Sequence, residues 1–363
     1  MEIIAEEGNA RVCKFKTRHG EIETPFFMPV ATKASVKHLP STDLKEINVP
    51  AIISNSLVLY LRPGLPIIKK FKGLHNFMNF NNVIFTDSGG FQMLRPSFLQ
   101  GFNNKGIKFR SPFDGSKFTF TPEKSMQVQQ DIASDVAMML DNIPKLGANK
   151  QEVKEATLLT HDWAKRCISA HTDNKQLLFG ITQGGLFKDI RKKSIEFFNK
   201  QDVDGLALGG LCIGEDKKDM HDIIKLHTKY LRKDKVRYLM GVGSPLDIID
   251  SVYNGIDVFD SIFPTRNARH GTLFSSSGSL RILNKKYSKD SNPIDKNCDC
   301  FVCKNYSKAY IRYQLKFKEG VGYKLASFHN IHFITKLMNS IKTSIKENSF
   351  EKFRKDFIKS YKK

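Results

Sequence analysis

Two aspartates that follow short apolar runs carry the clearest chemistry in the chain. Asp260 ends the run Ile256–Phe259, and Asp87 lies in Phe85-Thr-Asp-Ser-Gly-Gly-Phe-Gln92. Two carboxylates at a glycosidic bond can perform a double displacement, in which one attacks the anomeric carbon and the other transfers the proton. The alternative for each aspartate alone is a cap or a turn residue. As a pair they favour glycosyl transfer with retained configuration.

Arg266 and Arg269 follow Asp260 in what reads as a loop containing Pro264. Two guanidinium groups three residues apart can hold phosphates in forked geometry. A carboxylate beside phosphate clamps suggests chemistry on a nucleotide. A strand end with a solvated turn is the alternative.

Other strand ends supply a pocket of the size of a purine base. Asp141 can accept two hydrogen bonds, from N1–H and the exocyclic amine of guanine, while Gln183 and the backbone N–H of Gly210 can donate to O6. Phe91 and Met240 can sandwich the ring. Each residue alone is more often core or turn, so the prediction depends on the set.

Three of the six cysteines form the cluster Cys298-Asp-Cys300-Phe-Val-Cys303, with His329 further along the chain. Three thiolates and an imidazole make a closed tetrahedral site, which predicts one structural Zn²⁺ per chain in a reducing compartment. His332 is the rival fourth ligand, and free thiols are the alternative to a metal.

The chain has 58 Lys and Arg against 37 Asp and Glu, a formal net charge of +21. This favours a polyanionic partner, nucleic acid or an anionic membrane surface. Lys304, Lys308, Arg312 and Lys316 recur every four residues in a helical pattern over 304–318, so they can lie on one helix face and follow an RNA backbone. A solvated helix face is the alternative.

Apolar runs alternate with helical patterns through most of the chain, as in a parallel sheet. The predicted strands are Phe26–Val30, Ala51–Ser54, Val83–Phe85, Val136–Leu140, Leu177–Ile181, Gly205–Leu208, Tyr238–Met240 and Ile256–Phe259. Eight such units predict a (β/α)8 TIM barrel, whose catalytic residues lie at the carboxyl ends of the strands. A doubly wound open sheet is the alternative.

Beyond the barrel the alternation stops. We expect a catalytic barrel over 1–273, a zinc-binding subdomain with closing helices over 274–348, and a basic C-terminal tail over 349–363. Ser275-Ser-Ser-Gly-Ser279 reads as a flexible loop. The acidic N-terminus does not resemble a signal peptide, and no apolar run reaches the length of a membrane helix, so a cytoplasmic protein without membrane contact is expected.

Longer stretches resemble the tRNA-guanine transglycosylases, also called queuine tRNA-ribosyltransferases, of the bacterial type. The matching stretches, which cover nearly the whole chain, are Phe27-Met-Pro-Val-Ala-Thr32, Leu61-Arg-Pro-Gly64, Phe85–Gln92, Gly180-Ile-Thr-Gln-Gly-Gly185, Ala207-Leu-Gly-Gly-Leu-Cys-Ile-Gly-Glu215, Tyr238-Leu-Met-Gly-Val-Gly243, Gly255–Gly271 and the cysteine cluster with Tyr306-Ser-Lys-Ala-Tyr310. The resemblance implies a barrel with an inserted zinc subdomain. It also implies exchange of guanine in a tRNA for a 7-deazaguanine base, preQ1 or queuine, without an organic cofactor.

The resemblance also implies roles for individual residues. Asp260 is the nucleophile and Asp87 the general acid and base. The implied base readers are Asp141, Gln183, Gly210 and Leu211. The residues implied to line the pocket are Ser88, Phe91 and Met240. Arg266 and Arg269 are implied to contact the anticodon-loop backbone. Asn55 orients the carboxylates, and the three cysteines with His329 bind zinc.

Two departures from the bacterial pattern concern assembly and specificity. Ser54-Asn-Ser-Leu-Val-Leu59 lacks an aromatic pair that supports the family's dimer, so a homodimer is possible but not implied. Ile143 replaces a smaller cysteine in the pocket wall, which leaves the incoming base open. The expected target is guanine 34 of tRNAs with a GUN anticodon. The alternatives are an archaeosine-type enzyme acting on guanine 15, a non-catalytic tRNA-binding subunit, and a nucleoside hydrolase.

Overall fold

The computed structural model describes residues 1–89, 99–145, 147–211 and 214–362. Its strands, in chain order, are β1 (Glu2–Glu7), β2 (Ala10–Thr17), β3 (Gly20–Glu23), β4 (Phe26–Pro29), β5 (Ala51–Asn55), β6 (Val83–Asp87), β7 (Leu99–Asn103), β8 (Gly106–Arg110), β9 (Lys117–Phe120), β10 (Val136–Met138), β11 (Leu177–Thr182), β12 (Gly205–Leu208), β13 (Val236–Leu239), β14 (Val258–Ser261), β15 (Thr272–Ser275) and β16 (Gly278–Arg281). Antiparallel sheets form from β1–β3, β7–β9 and β15–β16.

The central sheet has eight parallel strands in the order β4, β14, β13, β12, β11, β10, β6 and β5. A bridge between Val30 and Ile53, with the Ala31 N–H donating to the Ile53 carbonyl at 2.7 Å, joins β4 to β5 and closes the ring. The predicted (β/α)8 barrel is therefore confirmed, and the open sheet is excluded. Each predicted barrel strand overlaps an observed one.

Helices surround the barrel because the strand faces that point away from its axis are also apolar and need cover. The helices are α1 (Ser41–Glu46), α2 (Ser56–Leu59), α3 (Leu65–Lys70), α4 (Leu74–Met78), α5 (Pro122–Ile132), α6 (Lys150–Ala170), α7 (Lys188–Phe198), α8 (Lys217–Tyr230), α9 (Pro245–Tyr253), α10 (Phe263–Arg269), α11 (Phe301–Asn305), α12 (Lys308–Lys316), α13 (Gly320–Lys346) and α14 (Phe350–Tyr361). Tyr60–Gly64 is a kink between α2 and α3, in which Arg62 has an extended backbone, and Lys285–Tyr287 forms a 3₁₀ turn.

The barrel interior is filled by side chains from alternate positions of its strands. The Phe85 ring lies at its centre and meets the rings of Phe26, Phe179 and Tyr238 edge-on, with centroids 5.5–6.2 Å apart. Such contacts favour one arrangement of the strands over sliding alternatives. The interior is thus a packed core, and the strand ends above it have a rigid support.

A buried ion pair fixes the N-terminal sheet to the base of the barrel. Arg11 donates to both carboxylate oxygens of Asp257, at 2.9 and 2.6 Å, and to the carbonyls of Lys233 and Lys235. Asp257 precedes β14 and also accepts the Arg237 N–H at 2.8 Å. Asp257 is therefore structural, as expected for a carboxylate at the end of the barrel opposite to the strand ends that carry chemistry.

Asp135 makes a second buried connection at the same base. One of its oxygens accepts from the His19 backbone N–H and ring Nδ1, and the other from the Ile84 N–H and His75 Nε2, at 2.8–3.1 Å. These three side chains could geometrically hold a metal. However, four donors already occupy the carboxylate, so the cluster acts as a hydrogen-bond centre that attaches the β2–β3 turn to the barrel.

The C-terminal region differs from the sequence prediction in two places. Residues 275–279 are not a flexible loop but the turn of the β15–β16 hairpin, where Gly278 at φ +109° approaches the Tyr361 carbonyl so closely that a Cβ would lie 2.7 Å from it. The predicted helix over 304–318 is broken, because Ser307 caps a new helix by accepting the Tyr310 N–H. Lys304 therefore lies on α11, whereas Lys308 and Arg312 lie on α12.

The long helix α13 packs against α10 and against β1, β2 and β4, which unites the two ends of the chain. The tail forms α14, whose first N–H groups, on Phe350 and Glu351, donate to the Glu7 carboxylate. None of the described helices is long and apolar enough to cross a membrane. The division into 1–273, 274–348 and 349–363 stays a prediction.

Candidate active site

Asp260 lies at the carboxyl end of β14, where the sequence pattern predicts it. Its Oδ1 accepts the Tyr238 hydroxyl at 2.6 Å and the Gly241 N–H at 3.1 Å. Burial raises the pKa of Asp260, whereas these two donors lower it. Both donors stabilise the carboxylate form and hold the same oxygen, Oδ1, in place.

Sequence reasoning missed Tyr238 as a site residue. It is fully buried inside the barrel, and burial followed by the charge of Asp260 raises its pKa well above the usual value. Asp87 contributes to the same rise, so both carboxylates act on one phenol. A signal was present, since a tyrosine in a buried strand needs a hydrogen-bond partner.

Asp87 ends β6 and accepts the Gly89 N–H at 2.8 Å. Its registered neighbour across the strands is Asn55, at the end of β5. The Asn55 Oδ1 caps α2 by accepting the Val58 N–H at 2.7 Å, and its Nδ2 has no hydrogen-bond partner among the described residues. Asn55 is therefore adjacent to Asp87, and Ser88 is buried beside them.

Asp141 and Gln183 meet at the ends of neighbouring strands β10 and β11. The Gln183 Nε2 donates to Asp141 Oδ2 at 2.7 Å, and both side chains are buried. Burial raises the pKa of Asp141 to about 7, although the bonds from Gln183 and from its own backbone oppose the rise. The carboxylate expected to read guanine is thus hydrogen-bonded to its predicted companion.

The Gly209–Gly210 segment after β12 forms the wall beside Gln183. Gly210 has φ +66°, and a Cβ there would lie 2.7 Å from the Gln183 Oε1. Glycine is required because the amide side chain lies directly on this backbone. Leu211 is buried next to it, and Met240 is half-buried after β13. Phe91 lies outside the described residues.

A second residue that the sequence did not reveal lies beneath this wall. Arg191 of α7 is fully buried, and its Nη1 donates to the carbonyls of Thr182 and Gly209, both at 2.9 Å. Its Nη2 donates to the Gly185 carbonyl at 2.8 Å. One guanidinium therefore connects the ends of β11 and β12. Arg191 fits the amphipathic pattern of α7, so no local signal distinguishes it.

Arg266 and Arg269 lie on helix α10 and not in the predicted loop, since Pro264 lies in the first turn of that helix. Arg266 is exposed and Arg269 is half-buried. Burial and then the charge of Arg266 lower the pKa of Arg269. Neither arginine forms an ion pair with any carboxylate in the described ranges. Two neighbouring guanidinium groups therefore lie on the helix that follows β14, the strand that carries Asp260.

The four cations predicted to line one helix face are arranged differently. Lys304 is exposed on α11, and Lys316 is exposed at the end of α12. On α12, the Lys308 ammonium pairs with Asp290 at 3.2 Å, and the Arg312 Nε donates to the carbonyls of Leu283 and Asn284. Two of the four side chains therefore already have partners in the protein.

The cysteine cluster has the arrangement of a metal site. The Sγ atoms of Cys298, Cys300 and Cys303 lie 3.9, 3.5 and 3.4 Å from the His329 Nδ1. Tetrahedral coordination with ordinary zinc bond lengths requires S–N separations of about 3.6 Å. The buried His329 directs Nδ1 inward because its Nε2 donates to the Phe274 carbonyl at 2.6 Å. These four side chains could hold one metal ion.

His332, the rival ligand, instead contacts Asp299 at 2.9 Å through its Nε2. The preference for His329 thus agrees with the geometry. The bond from His329 to the Phe274 carbonyl also links the cluster to β15, the strand that follows the helix with Arg266 and Arg269.

Comparison with known proteins gives a consistent result. Residues 6–363 match the family model described as queuine tRNA-ribosyltransferase. A queuine tRNA-ribosyltransferase of Thermoanaerobacter sp. (strain X514) is 47% identical over 354 residues, which is 97% of this chain and 94% of that protein. One of Francisella tularensis subsp. novicida is 44% identical over 362 residues, covering 100% and 99% of the two chains.

Proposed function

Because the chain belongs to the queuine tRNA-ribosyltransferase family, we propose that it exchanges guanine 34 of GUN-anticodon tRNAs for a 7-deazaguanine base. Membership makes it an enzyme, a pentosyltransferase of queuosine synthesis that acts on tRNA and a guanine-like base. The proposal adds three details, namely the target nucleotide, the identity of the incoming base (preQ1 or queuine) and the covalent route. The observation that carries it is Asp260, held by Tyr238 and Gly241 at the end of β14.

In the first half of the reaction, the free oxygen of Asp260 attacks C1′ of the nucleoside as the C1′–N9 bond breaks. The bonding pair leaves with guanine, and Asp87 assists by supplying a proton to the base. A ribosyl ester on Asp260 results. The donors on Asp260 support this role because they favour the ionised, nucleophilic form.

In the second half, N9 of the incoming 7-deazaguanine attacks C1′, the ester bond to Asp260 breaks, and Asp87 takes the N9 proton. Asp141, Gln183, Gly210 and Leu211 read the base in both halves, with Ser88, Phe91 and Met240 lining the pocket. Asn55, at the register position of Asp87, orients the carboxylates. This symmetry lets one pocket serve both the departing and the arriving base.

Arg266 and Arg269 bind the anticodon-loop backbone in this proposal, and their lack of carboxylate partners in the described ranges supports it. Lys304 can add to that surface, whereas Lys308 and Arg312 would first have to exchange their present contacts. The metal proposed for the cysteine cluster is structural zinc, because four protein donors leave no position for water. A homodimer stays a prediction, which sedimentation analysis can test.

Asp260→Ala tests the covalent route. Wild-type protein should incorporate labelled guanine into tRNA and yield a denaturation-resistant tRNA adduct, whereas Asp260→Ala should do neither. Mapping the labelled nucleotide separates position 34 from position 15, and release of guanine without an acceptor base would indicate a hydrolase. An alanine variant that still exchanges guanine would refute the nucleophile assignment.

A further inference from the structure

The Gly209–Gly210 peptide connects Arg191 to the base pocket. The Gly209 carbonyl accepts from the Arg191 Nη1 at 2.9 Å. In a trans peptide the following N–H points away from that carbonyl, so the Gly210 N–H is directed away from Arg191. Among the described residues no acceptor receives this N–H. The Gly209 carbonyl of this peptide is thus fixed by the Arg191 cation, and its Gly210 N–H is available to donate to a ligand.

The remaining contacts of Arg191 leave this peptide little freedom. Its Nη1 also holds the Thr182 carbonyl, which in addition accepts the Gly209 N–H at 3.0 Å, and its Nη2 holds the Gly185 carbonyl. The Gln183 side chain also packs directly on the two glycines, 2.4 and 2.7 Å from where their Cβ atoms would lie. The peptide is therefore held by a buried guanidinium and packed against the amide proposed to read the base.

The positive charge has a second effect. A cation bonded to a carbonyl polarises the whole peptide and strengthens its N–H as a donor. Burial lowers the pKa of Arg191 to about 10, against the charge of Glu215, so the guanidinium is protonated at neutral pH. A fixed donor directed at an atom that gains negative charge stabilises that charge without reorganisation.

We propose that Arg191 is a positioning residue that directs and polarises the Gly210 N–H toward O6 of the purine, where charge develops as the glycosidic bond breaks. This inference rests on the proposed function, because it takes guanine as the leaving base. It adds to that function a residue, Arg191, that contacts neither the base nor the sugar. It also attributes the selection of purines with a 6-oxo group to the Gly209–Gly210 peptide, whose orientation Arg191 fixes.

The test compares two conservative variants, Arg191→Lys and Arg11→Lys. Arg11 is the matched control, because it is also a buried arginine bonded to carbonyls but lies at the base of the barrel. Each protein is assayed for guanine exchange and, without tRNA, for binding of guanine and of 2-aminopurine, which lacks O6, by equilibrium dialysis. Thermal unfolding of each variant reports any general loss of stability.

Wild type and Arg11→Lys should bind guanine more tightly than 2-aminopurine by the same ratio. In Arg191→Lys that ratio should fall about fivefold to tenfold, the worth of one weakened hydrogen bond, with kcat for exchange reduced and KM for tRNA unchanged. Arg191→Met, if it folds, should lower both the base-binding ratio and kcat further. A ratio in Arg191→Lys within about twofold of wild type would overturn the inference, whatever its activity.

A failure of the proposed function can be distinguished from a failure of this inference. If wild-type protein binds both bases but exchanges none into tRNA, the transglycosylation proposal is refuted. The base-binding ratio still decides the role of Arg191, since it requires no tRNA.

Discussion

Replacing Asp141 by asparagine should stabilise the protein while it weakens base recognition. Burial raises the pKa of Asp141 to about 7 from its ordinary value of 3.8. Between these two pH values the folded protein holds a proton that the unfolded chain releases. The stability contributed by this carboxyl is therefore fully present below pH 3.8 and is lost as the pH rises through about 7.

The size of the effect follows from the two pKa values. A difference of about 3 pH units corresponds to about 4 kcal/mol, which is the full loss above pH 7. Asparagine carries no charge, and its Oδ1 can still accept the Gln183 Nε2–H that Asp141 Oδ2 accepts now. Asp141→Asn should match wild type in stability near pH 4 and exceed it at pH 8, by up to about 4 kcal/mol.

Base binding should respond in the opposite direction. Guanine donates N1–H and its amine to the ionised carboxylate, so wild-type affinity should fall about tenfold per pH unit below pH 7. The asparagine side chain offers one acceptor and places its NH₂ group against the second donor of guanine. The guanine affinity of Asp141→Asn should therefore be low and independent of pH.

Thermal unfolding and equilibrium dialysis with labelled guanine, both from pH 4.5 to 8.5, measure these effects. Taking the difference between the two proteins cancels the titration of all other groups. An unfolding-temperature difference that is equal at pH 5 and pH 8 would refute the assigned cost of the Asp141 charge. Wild-type guanine affinity that is constant over this range would refute its role as the reader.

Three further predictions concern the carboxylate, the metal and the RNA. Tyr238→Phe removes a donor to Asp260, so the acid limb of the kcat/KM profile should move to higher pH with kcat reduced about tenfold; an unchanged profile contradicts this role. Cys303→Ser should lose the roughly one zinc per chain that elemental analysis should find in wild type, and should unfold at lower temperature; a metal-free wild type that is fully folded contradicts the site. Replacing both Arg266 and Arg269 by alanine should weaken tRNA binding and lower the slope of log K against log salt by about 1–2, whereas an unchanged slope would exclude phosphate contacts.

The barrel could be predicted because its strands are buried on both faces and appear as short apolar runs. The polar residue after each run then marks the carboxyl end of the barrel strands, which is how Asp87, Asp141 and Asp260 were predicted to lie there. The cluster of three cysteines and His329 was also predictable, since three thiols at short spacing indicate a metal site.

Tyr238 and Arg191 could not be identified in this way, because their partners lie on other elements. Each fits the apolar or amphipathic pattern of its own strand or helix. A buried tyrosine indicates a hydrogen-bond partner, but only the fold shows that the partner of Tyr238 is Asp260. The helix break at Ser307 was readable in principle as a capping serine, but the i, i+4 spacing of the cations pointed to a continuous helix. The Gly278 turn depends on Tyr361, a contact across the subdomain.

The packing of β1 and β2 on α13, with Glu7 capping α14, has a consequence for how the protein is made. On the ribosome the β1–β3 sheet emerges long before the helices α13 and α14 that pack on it. At roughly 5–20 residues per second, the sheet waits on the order of half a minute for these partners. During that time its apolar side is exposed, so a nascent chain should be a substrate for chaperones until α13 and α14 have left the exit tunnel.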